Sequence, residues 1–188
     1  QPESAVELGK QLRDAGAVIN SIVLDGCALT GATKKNSYDK TFSQDIDSQM
    51  DGFVALCAVL GKVQRISLAN CGLGPASAGE LAKAVSNADA GLAEVVLDGN
   101  PLTGAVMEYG TWKDIDSQME GFIALCSVID KVPKISLANC HLGPASAAEL
   151  AKAVSNADAV INSLALTGCP IGVPISASLK DGAVTGVT

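Results

Sequence analysis

Long apolar runs, aromatic side chains and charges are all scarce in this chain of 188 residues. The longest unbroken apolar run, residues 53–60, has eight residues, whereas about 20 are needed to cross a bilayer. No basic segment opens the chain, so the sequence predicts neither a membrane span nor a signal peptide. Aromatic residues make up 3 % and charged residues 18 %, against 48 % apolar residues. This composition excludes a disordered chain and predicts one domain, residues 1–188, with a continuous core.

Positive charge is also in short supply. The chain has 13 Lys and Arg against 20 Asp and Glu, for a formal charge of −7. Without a local basic cluster, this balance argues against nucleic acid or an anionic membrane as a partner.

The sequence repeats itself over a long period. Residues 46–90 recur at 115–159, 69 positions later, and 36 of the 45 positions are identical. This identity indicates a recent duplication or a designed consensus sequence.

A shorter pattern recurs five times. Aliphatic residues are spaced by 3, 2, 3 and 2, with Asn or Cys in the fourth place, in residues 19–29, 63–73, 92–102, 132–142 and 161–171. The alternating centre of each segment predicts a short strand with one buried face. Asn at the strand exit can bond the free backbone groups of the turn, and Cys can fill the same position with a weak S–H donor.

The apolar spacing becomes helical between the strands. Residues 78–85 carry one apolar stripe and residues 53–60 carry another, and both recur 69 residues later. Ser77 and Glu80 predict a capping box at the start of a helix, which also recurs in the second copy. A third copy of this helix start opens the chain at Pro2.

These features are those of a known repeat family. The run from residue 66 to 105, ISLANCGLGPASAGELAKAVSNADAGLAEVVLDGNPLTGA, resembles leucine-rich repeats of the ribonuclease-inhibitor type. Ribonuclease inhibitor, the arrays of NOD-like receptors, the Ran GTPase-activating protein and tropomodulin carry such repeats. The resemblance implies an α/β fold, a right-handed solenoid or horseshoe with about five parallel strands on the concave side and helices on the convex side. It implies protein binding without naming the partner.

Two inserts interrupt the regular repeat length. Successive strand leucines are 44, 29, 40 and 29 residues apart, which places inserts at about 33–45 and 106–114. Both follow a Leu-Thr-Gly sequence, so we expect them along one edge of the horseshoe, about 10 Å apart. They hold four of the six aromatic residues, which are Tyr38, Phe42, Tyr109 and Trp112. Such rings favour a partner-binding edge, but they can equally pack against the repeats and seal the core.

The inner face of the predicted sheet carries mostly small side chains. Arg65, Glu94 and Lys134 form a charged row just before three of the strands. This row is the second candidate surface for a partner. The alternative is that neighbouring opposite charges simply pair across the strands.

The six cysteines fit the repeat positions. Cys27, Cys71, Cys140 and Cys169 occupy strand exits, and two more lie on helix stripes. We therefore predict six reduced core thiols, which favours a cytoplasmic protein. A disulfide between adjacent rungs, Cys27 with Cys71 or Cys140 with Cys169, is the alternative.

The sequence offers little for catalysis, metals or cofactors. The one histidine, His141, is replaced by Gly72 in the other copy, so a shared catalytic or metal role is not expected. The acidic stretch 45–52 lacks the glycine and glutamate positions of a calcium loop and predicts an acidic helix start. We therefore predict a protein that is not an enzyme and has no cofactor.

The predicted function is a non-catalytic protein-interaction scaffold or assembly subunit. A regulatory protein, such as a GTPase activator or enzyme inhibitor, and a designed repeat without a ligand are the alternatives. The first helix lacks a preceding strand, and residues 173–188 lack a charged capping helix. We interpret the chain as a fragment of a longer array, able to self-associate through uncapped ends.

Overall fold

The computed structural model describes residues 2–14, 19–35, 42–60, 63–87, 91–109, 111–156, 158–171 and 183–185. The helices are α1 (Pro2–Asp14), α2 (Asp51–Leu60), α3 (Pro75–Ser86), α4 (Glu120–Cys126) and α5 (Pro144–Val154), with a 3-10 turn at Ile129–Lys131. The strands are β1 (Ser21–Val23), β2 (Arg65–Ser67), β3 (Glu94–Val96), β4 (Val106–Glu108), β5 (Thr111–Lys113), β6 (Lys134–Ser136), β7 (Ser163–Ala165) and β8 (Ala183–Thr185).

A parallel sheet runs through the fold in the order β1-β2-β3-β6-β7-β8. Each strand pairs with the next in one register, so that Ser21, Arg65, Glu94, Lys134 and Ser163 follow one another across the sheet. The first five strands are the five predicted ones, which confirms the mixed α/β class and the parallel sheet. The sixth, β8, lies in the C-terminal stretch, most of which is outside the described residues.

The core lies between one face of the sheet and the helices. The middle residue of each of the first five strands is buried: Ile22, Ile66, Val95, Ile135 and Leu164. These side chains join the buried helix stripes in one continuous cluster. No strand of three residues buries enough surface to be stable alone, so the stacked repeats share the stabilisation.

The strand exits are built as the repeat pattern predicts. Asn100 is fully buried, and its Oδ1 accepts from the backbone N–H groups of Cys71 and Leu73 at 2.9 and 3.0 Å. Its Nδ2 donates to the carbonyls of Leu68 and Leu97 at 2.8 and 2.7 Å. The thiols at the same position in three other repeats donate to a carbonyl of the preceding rung, as Cys140 Sγ does to Leu97 at 3.2 Å.

The predicted capping boxes are wrong. Helices α3 and α5 begin at proline after Gly74 and Gly143, so the serines lie inside the first turn. Their caps come from a preceding loop, because the Asp47 carboxylate accepts from the N–H groups of Gly74, Ala76 and Ser77 at 3.1, 2.8 and 3.2 Å. Asp116 repeats this arrangement at α5. Asp47 of the acidic stretch 45–52 thus caps α3, the helix of the following repeat.

Helix α4 is shorter than its copy α2, with seven residues against ten. Ser127 replaces Ala58, and its hydroxyl donates back to the carbonyl of Ala124 at 2.7 Å. A serine bond of this kind competes with the helical ladder. The chain therefore leaves the helix and continues in the 3-10 turn, where Ile129 is still buried.

Helices α3 and α4 approach each other closely at glycine. A Cβ at Gly121 would collide with the backbone carbonyl of Pro75. The close approach fixes how these neighbouring repeats stack. None of the described helices is long and apolar enough to span a membrane.

The cysteine at the first strand exit differs from the others. All six cysteines are free, but Cys27 is exposed while the other five are buried. The prediction that every cysteine is a core residue is therefore wrong for Cys27. Among the described residues, no strand pairs with β1 on its other side to cover this position.

This difference predicts selective thiol chemistry. Burial raises the pKa of the Cys57, Cys71 and Cys126 thiols to about 12, and it also raises those of Cys140 and Cys169. Cys27 is the one thiol that a reagent can reach without unfolding the chain. We expect one fast-reacting thiol in the native protein and six after denaturation, measured with a chromogenic disulfide reagent. A native protein that still shows one fast thiol after Cys27→Ser contradicts this assignment.

Candidate partner-binding surface

In each of the two inserts the chain leaves the repeat and returns, and the two arms of this excursion pair in antiparallel fashion. In the first, Thr33 and Gln44 form an antiparallel bridge; in the second, β4 and β5 form a hairpin that begins with Val106 opposite Lys113. We call their described residues, 33–35, 42–44, 106–109 and 111–113, the insert edge.

Phe42 anchors the first excursion on the repeats. The ring is half-buried, and a Cβ at Gly72 would lie 2.8 Å from the Phe42 Cβ and in collision with Ala32. Gly72 has a φ of +67°, in the left-handed region that favours glycine. The absence of a side chain there lets the first excursion lie flat on the turn after Cys71.

Trp112 anchors the second excursion on the matching turn. Its ring stacks on His141, with centroids 3.5 Å apart and planes inclined by 21°. His141 is the residue that replaces Gly72 in the second copy. Each insert thus packs on the turn that follows a strand-exit cysteine. The first insert packs on Gly72, and the second stacks on His141. Phe42 and Trp112 therefore pack against the repeats, which is the alternative to direct contact with a partner.

Tyr109 is placed differently. It lies at the tip of the β4–β5 hairpin with a φ of +49°, and 94 % of it is exposed. The ammonium of Lys35, from the first insert, lies over the Tyr109 ring, with Nζ 5.6 Å from the ring centroid. This contact confirms that the two inserts lie side by side. Glu108 and Lys113 close the hairpin with an ion pair of 3.1 Å.

The insert edge therefore gathers three of the four aromatic residues predicted from the sequence. Tyr38, the fourth, lies outside the described residues. Lys34 and Lys35 were not among the predicted site residues. Their place after Leu-Thr-Gly, separated from it by two residues, and ahead of the aromatic residues is the sequence feature that could have identified them.

The charged row on the sheet is a separate surface. Arg65, Glu94 and Lys134 lie in register on neighbouring strands. Arg65 Nε lies 3.3 Å from Glu94 Oε2, so two of these charges pair as the simpler interpretation has it. Within the part of the chain that the structure describes, Lys134 makes no ion pair within 4.0 Å.

Two aspartates that were not among the predicted site residues organise the same face. Asp25 accepts from the Ser67 hydroxyl at 2.6 Å and from the Ala69 N–H at 2.9 Å. Asp98 makes the equivalent bonds to Ser136 and Ala138. The matching Asp and Ser positions in the repeats indicate this pairing, and their carboxylates are already occupied by the next repeat.

The helical side carries two equivalent grooves. One lies between α2 and α3 with a volume of about 260 Å³, and the other lies between α4 and α5 with about 310 Å³. Val54 and Ile123 border them, each 43 % exposed. An ion pair lies beside each, Glu80 with Lys83 and Glu149 with Lys152. The grooves follow from the duplication, and the cysteine that lines each of them, Cys57 or Cys126, has a pKa raised to about 12 by burial.

The described residues contain no cluster of three or more His, Cys, Asp or Glu that could hold a metal ion. The five buried thiols have raised pKa values because burial disfavours the thiolate. Such thiols are poor nucleophiles at neutral pH.

The partial burial of His141 predicts a pH-dependent contribution to stability. Burial lowers the pKa of the His141 imidazole from 6.5 to about 4. The unfolded chain therefore takes up this proton first as the pH falls, and the contribution is complete above pH 6.5 and lost on the way down to about pH 4.

The variant His141→Asn tests this dependence, because Asn tolerates the left-handed φ of +56° and does not titrate. We expect the unfolding free energy of the wild type, relative to the variant, to fall between pH 6.5 and 4. Two parallel stability profiles across that range would show that His141 does not titrate as described.

No protein-family model matches the sequence, and no curated protein matches it. Solved structures do resemble the fold. The C-terminal domain of tropomodulin from Caenorhabditis elegans matches with a TM-score of 0.56 at 12 % identity, covering 89 % of this chain and 83 % of that one. Leiomodin-1 actin-binding site 2 matches with a TM-score of 0.51 at 16 % identity, covering 86 % and 76 %.

These matches correct the family assignment. The sequence resemblance assigned the chain to the ribonuclease-inhibitor type, as in NOD-like receptor and Ran GTPase-activating protein arrays. That assignment is wrong, because the matched structures are the tropomodulin and leiomodin domains. The short rung pattern is common to many repeat proteins, so it identified the kind of repeat better than the family. At 12 and 16 % identity the likeness shows the fold alone.

Proposed function

We propose that this chain is a non-catalytic protein-binding module whose insert edge contacts the partner. The observation that carries the proposal is Tyr109, an aromatic residue that is 94 % exposed at the tip of an anchored hairpin. A large exposed ring is costly for a protein that has no use for it, and tyrosine is enriched among the residues that dominate interface energies.

The hairpin is held in place before any partner arrives. The Trp112–His141 stack fixes its base, the Glu108–Lys113 pair closes it, and Lys35 lies over the Tyr109 ring. Binding through Tyr109 therefore requires little further ordering, which leaves more of the contact energy for affinity. Phe42 and Trp112 act as supports in this proposal, and Tyr109 makes the main contact.

The proposed shape is a right-handed horseshoe with the parallel sheet on its concave side and the helices on its convex side. The uniform register of the strands and the continuous core support this shape. The charged row of Arg65, Glu94 and Lys134 is then the second contact surface, reached from the concave side. Self-association through the ends of the array stays a prediction.

The absence of catalysis is part of the proposal and has its own test, since purified chain that turns over a substrate would contradict it. The six free thiols support an intracellular setting, because such thiols persist in reducing compartments.

Actin is the first partner to test. One of the matched structures is an actin-binding site of leiomodin-1, which has the same general fold. The proposal for this chain is protein binding at the insert edge, and actin is its most specific form.

Immobilised wild-type chain and the variant Tyr109→Ala are compared for capture of purified actin and of proteins from a cell extract. Val160→Ala is the matched control, because Val160 is also an exposed large side chain, at 51 %, but lies just ahead of β7. We expect about a tenfold or greater loss of affinity for Tyr109→Ala and no loss for the control. Equal capture by all three proteins would contradict the insert edge as the contact surface. Capture of another protein, together with no capture of purified actin, would exclude only the actin form of the proposal.

A further inference from the structure

The insert edge combines its exposed aromatic residue with two consecutive lysines. Lys34 Nζ lies 5.1 Å from the centroid of the Phe42 ring, and Lys35 Nζ lies 5.6 Å from that of Tyr109. Both distances are within the roughly 6 Å over which a cation is attracted to a ring face. The Lys35 ammonium is therefore held beside Tyr109 and the Lys34 ammonium beside Phe42, although both lysines are exposed.

Two nearby carboxylates that the structure describes are engaged elsewhere. Glu108 pairs with Lys113 at 3.1 Å, and Asp45 accepts a hydrogen bond of 2.8 Å from the Thr33 hydroxyl. Among the residues that the structure describes, no carboxylate oxygen lies within 4.0 Å of the Lys34 or Lys35 ammonium. A ring face neutralises no charge, so the contacts among the described residues leave both positive charges available on a chain whose formal charge is −7.

We propose that the insert edge binds an acidic segment of a protein partner, whose carboxylates pair with Lys34 and Lys35 while an apolar side chain packs on Tyr109. The inference rests on the proposed function and names the chemistry of the partner. Charge complementarity carries it, because opposite potentials steer encounter and select among partners that an aromatic contact alone would not distinguish.

The arrangement also accounts for the use of lysine beside aromatic rings. An ammonium over a ring has one side on the π face and keeps N–H donors for a second group. A carboxylate of the partner can therefore add to the lysine without breaking its contact with the ring. The surface then supplies the positioned ammonium groups of an ion-pair network, and the partner supplies the carboxylates.

A random peptide library displayed on phage tests the inference while the partner is still unidentified. The wild type is panned beside the double variant Lys34→Ser/Lys35→Ser and the control Lys83→Ser/Lys152→Ser. Each double variant lowers the formal charge by two, so the effect of overall charge is the same. Lys83 and Lys152 lie on helices α3 and α5, and each pairs with a glutamate at 2.6 Å.

We expect the wild type and the control to enrich peptides that carry Asp or Glu next to an aromatic or aliphatic residue. The affinity of these peptides for Lys34→Ser/Lys35→Ser should fall about threefold to thirtyfold, and raising the salt concentration should weaken wild-type binding. Thermal unfolding of the three proteins verifies that all are folded, which is expected because the substituted side chains are exposed.

Three results would overturn the inference: enrichment of neutral or basic peptides, equal binding of acidic peptides to both double variants, or no enrichment at all. The proposed function is tested separately, by the capture experiment with Tyr109→Ala. If Tyr109→Ala abolishes partner capture while the enriched peptides are not acidic, the insert edge binds a partner of another chemistry.

Discussion

Replacing Asp116 by glycine is expected to lower the free energy of unfolding by about 2–3 kcal/mol. The Asp116 carboxylate accepts from the N–H groups of Gly143, Ala145 and Ser146 at 3.1, 2.9 and 3.2 Å, and from the Ser146 hydroxyl. Without it, the first turn of α5 loses its partners in a half-buried site. Urea denaturation followed by circular dichroism measures the change.

Asp114→Gly is the matched control for this substitution. Asp114 and Asp116 lie in the same turn with φ of +53° and +60°, so glycine relieves the same backbone strain at both positions. The Asp114 side chain makes no hydrogen bond or ion pair with the described residues. We expect no loss of stability from Asp114→Gly, and equal effects of the two substitutions would contradict the cap. Asp47→Gly should repeat the effect of Asp116→Gly at α3.

Replacing Asn100 by alanine is expected to cost about 4 kcal/mol, a larger loss than that from Asp116→Gly. Its side chain is fully buried and joins two neighbouring rungs through four hydrogen bonds of 2.7 to 3.0 Å. Truncation leaves two N–H groups and the Leu68 carbonyl buried without partners, while the Leu97 carbonyl keeps only the Cys140 thiol. The unfolding free energy from denaturant titration is again the measurement.

Asn100→Cys separates the chemistry of this position from its volume. Cysteine occupies the equivalent exit in the four other rungs, and in three of them the thiol donates to a carbonyl of the preceding rung. We expect Asn100→Cys to cost roughly half as much as Asn100→Ala, because one donor is retained. If cysteine is as damaging as alanine, the interchange of Asn and Cys along the repeats has another origin.

The sequence predicts best what depends on neighbouring residues. The five strands, the buried stripes of α2 and α3 and the role of Asn100 all follow from spacings within ten or so residues. Each was confirmed because the repeats are stacked in one register, so one local pattern decides burial in every copy.

The errors arise where a partner lies in another repeat. Ser77 and Glu80 have the spacing of a capping box, but Asp47 from 30 residues earlier occupies the site. Cys27 has the same local pattern as Cys71, yet its burial depends on a neighbour on the other side of β1. No local pattern distinguishes these cases.

The candidate site was predictable in its position and only partly in its form. The unequal repeat lengths place both inserts on one edge, and the contact between Lys35 and Tyr109 confirms that they meet. The stacking of Trp112 on His141 depends on a single substitution between the copies, from Gly72. The sequence shows that histidine replaces glycine at this position, but it does not indicate that the His141 ring stacks on Trp112.

Hydrogen–deuterium exchange of the chain with and without its captured partner tests most directly whether the insert edge is the contact surface. We predict added protection in residues 106–113 and 33–35, with helices α2 to α5 unchanged. Protection on the helices or on the sheet, with exchange at the insert edge unaltered, would contradict this prediction and would move the contact surface elsewhere.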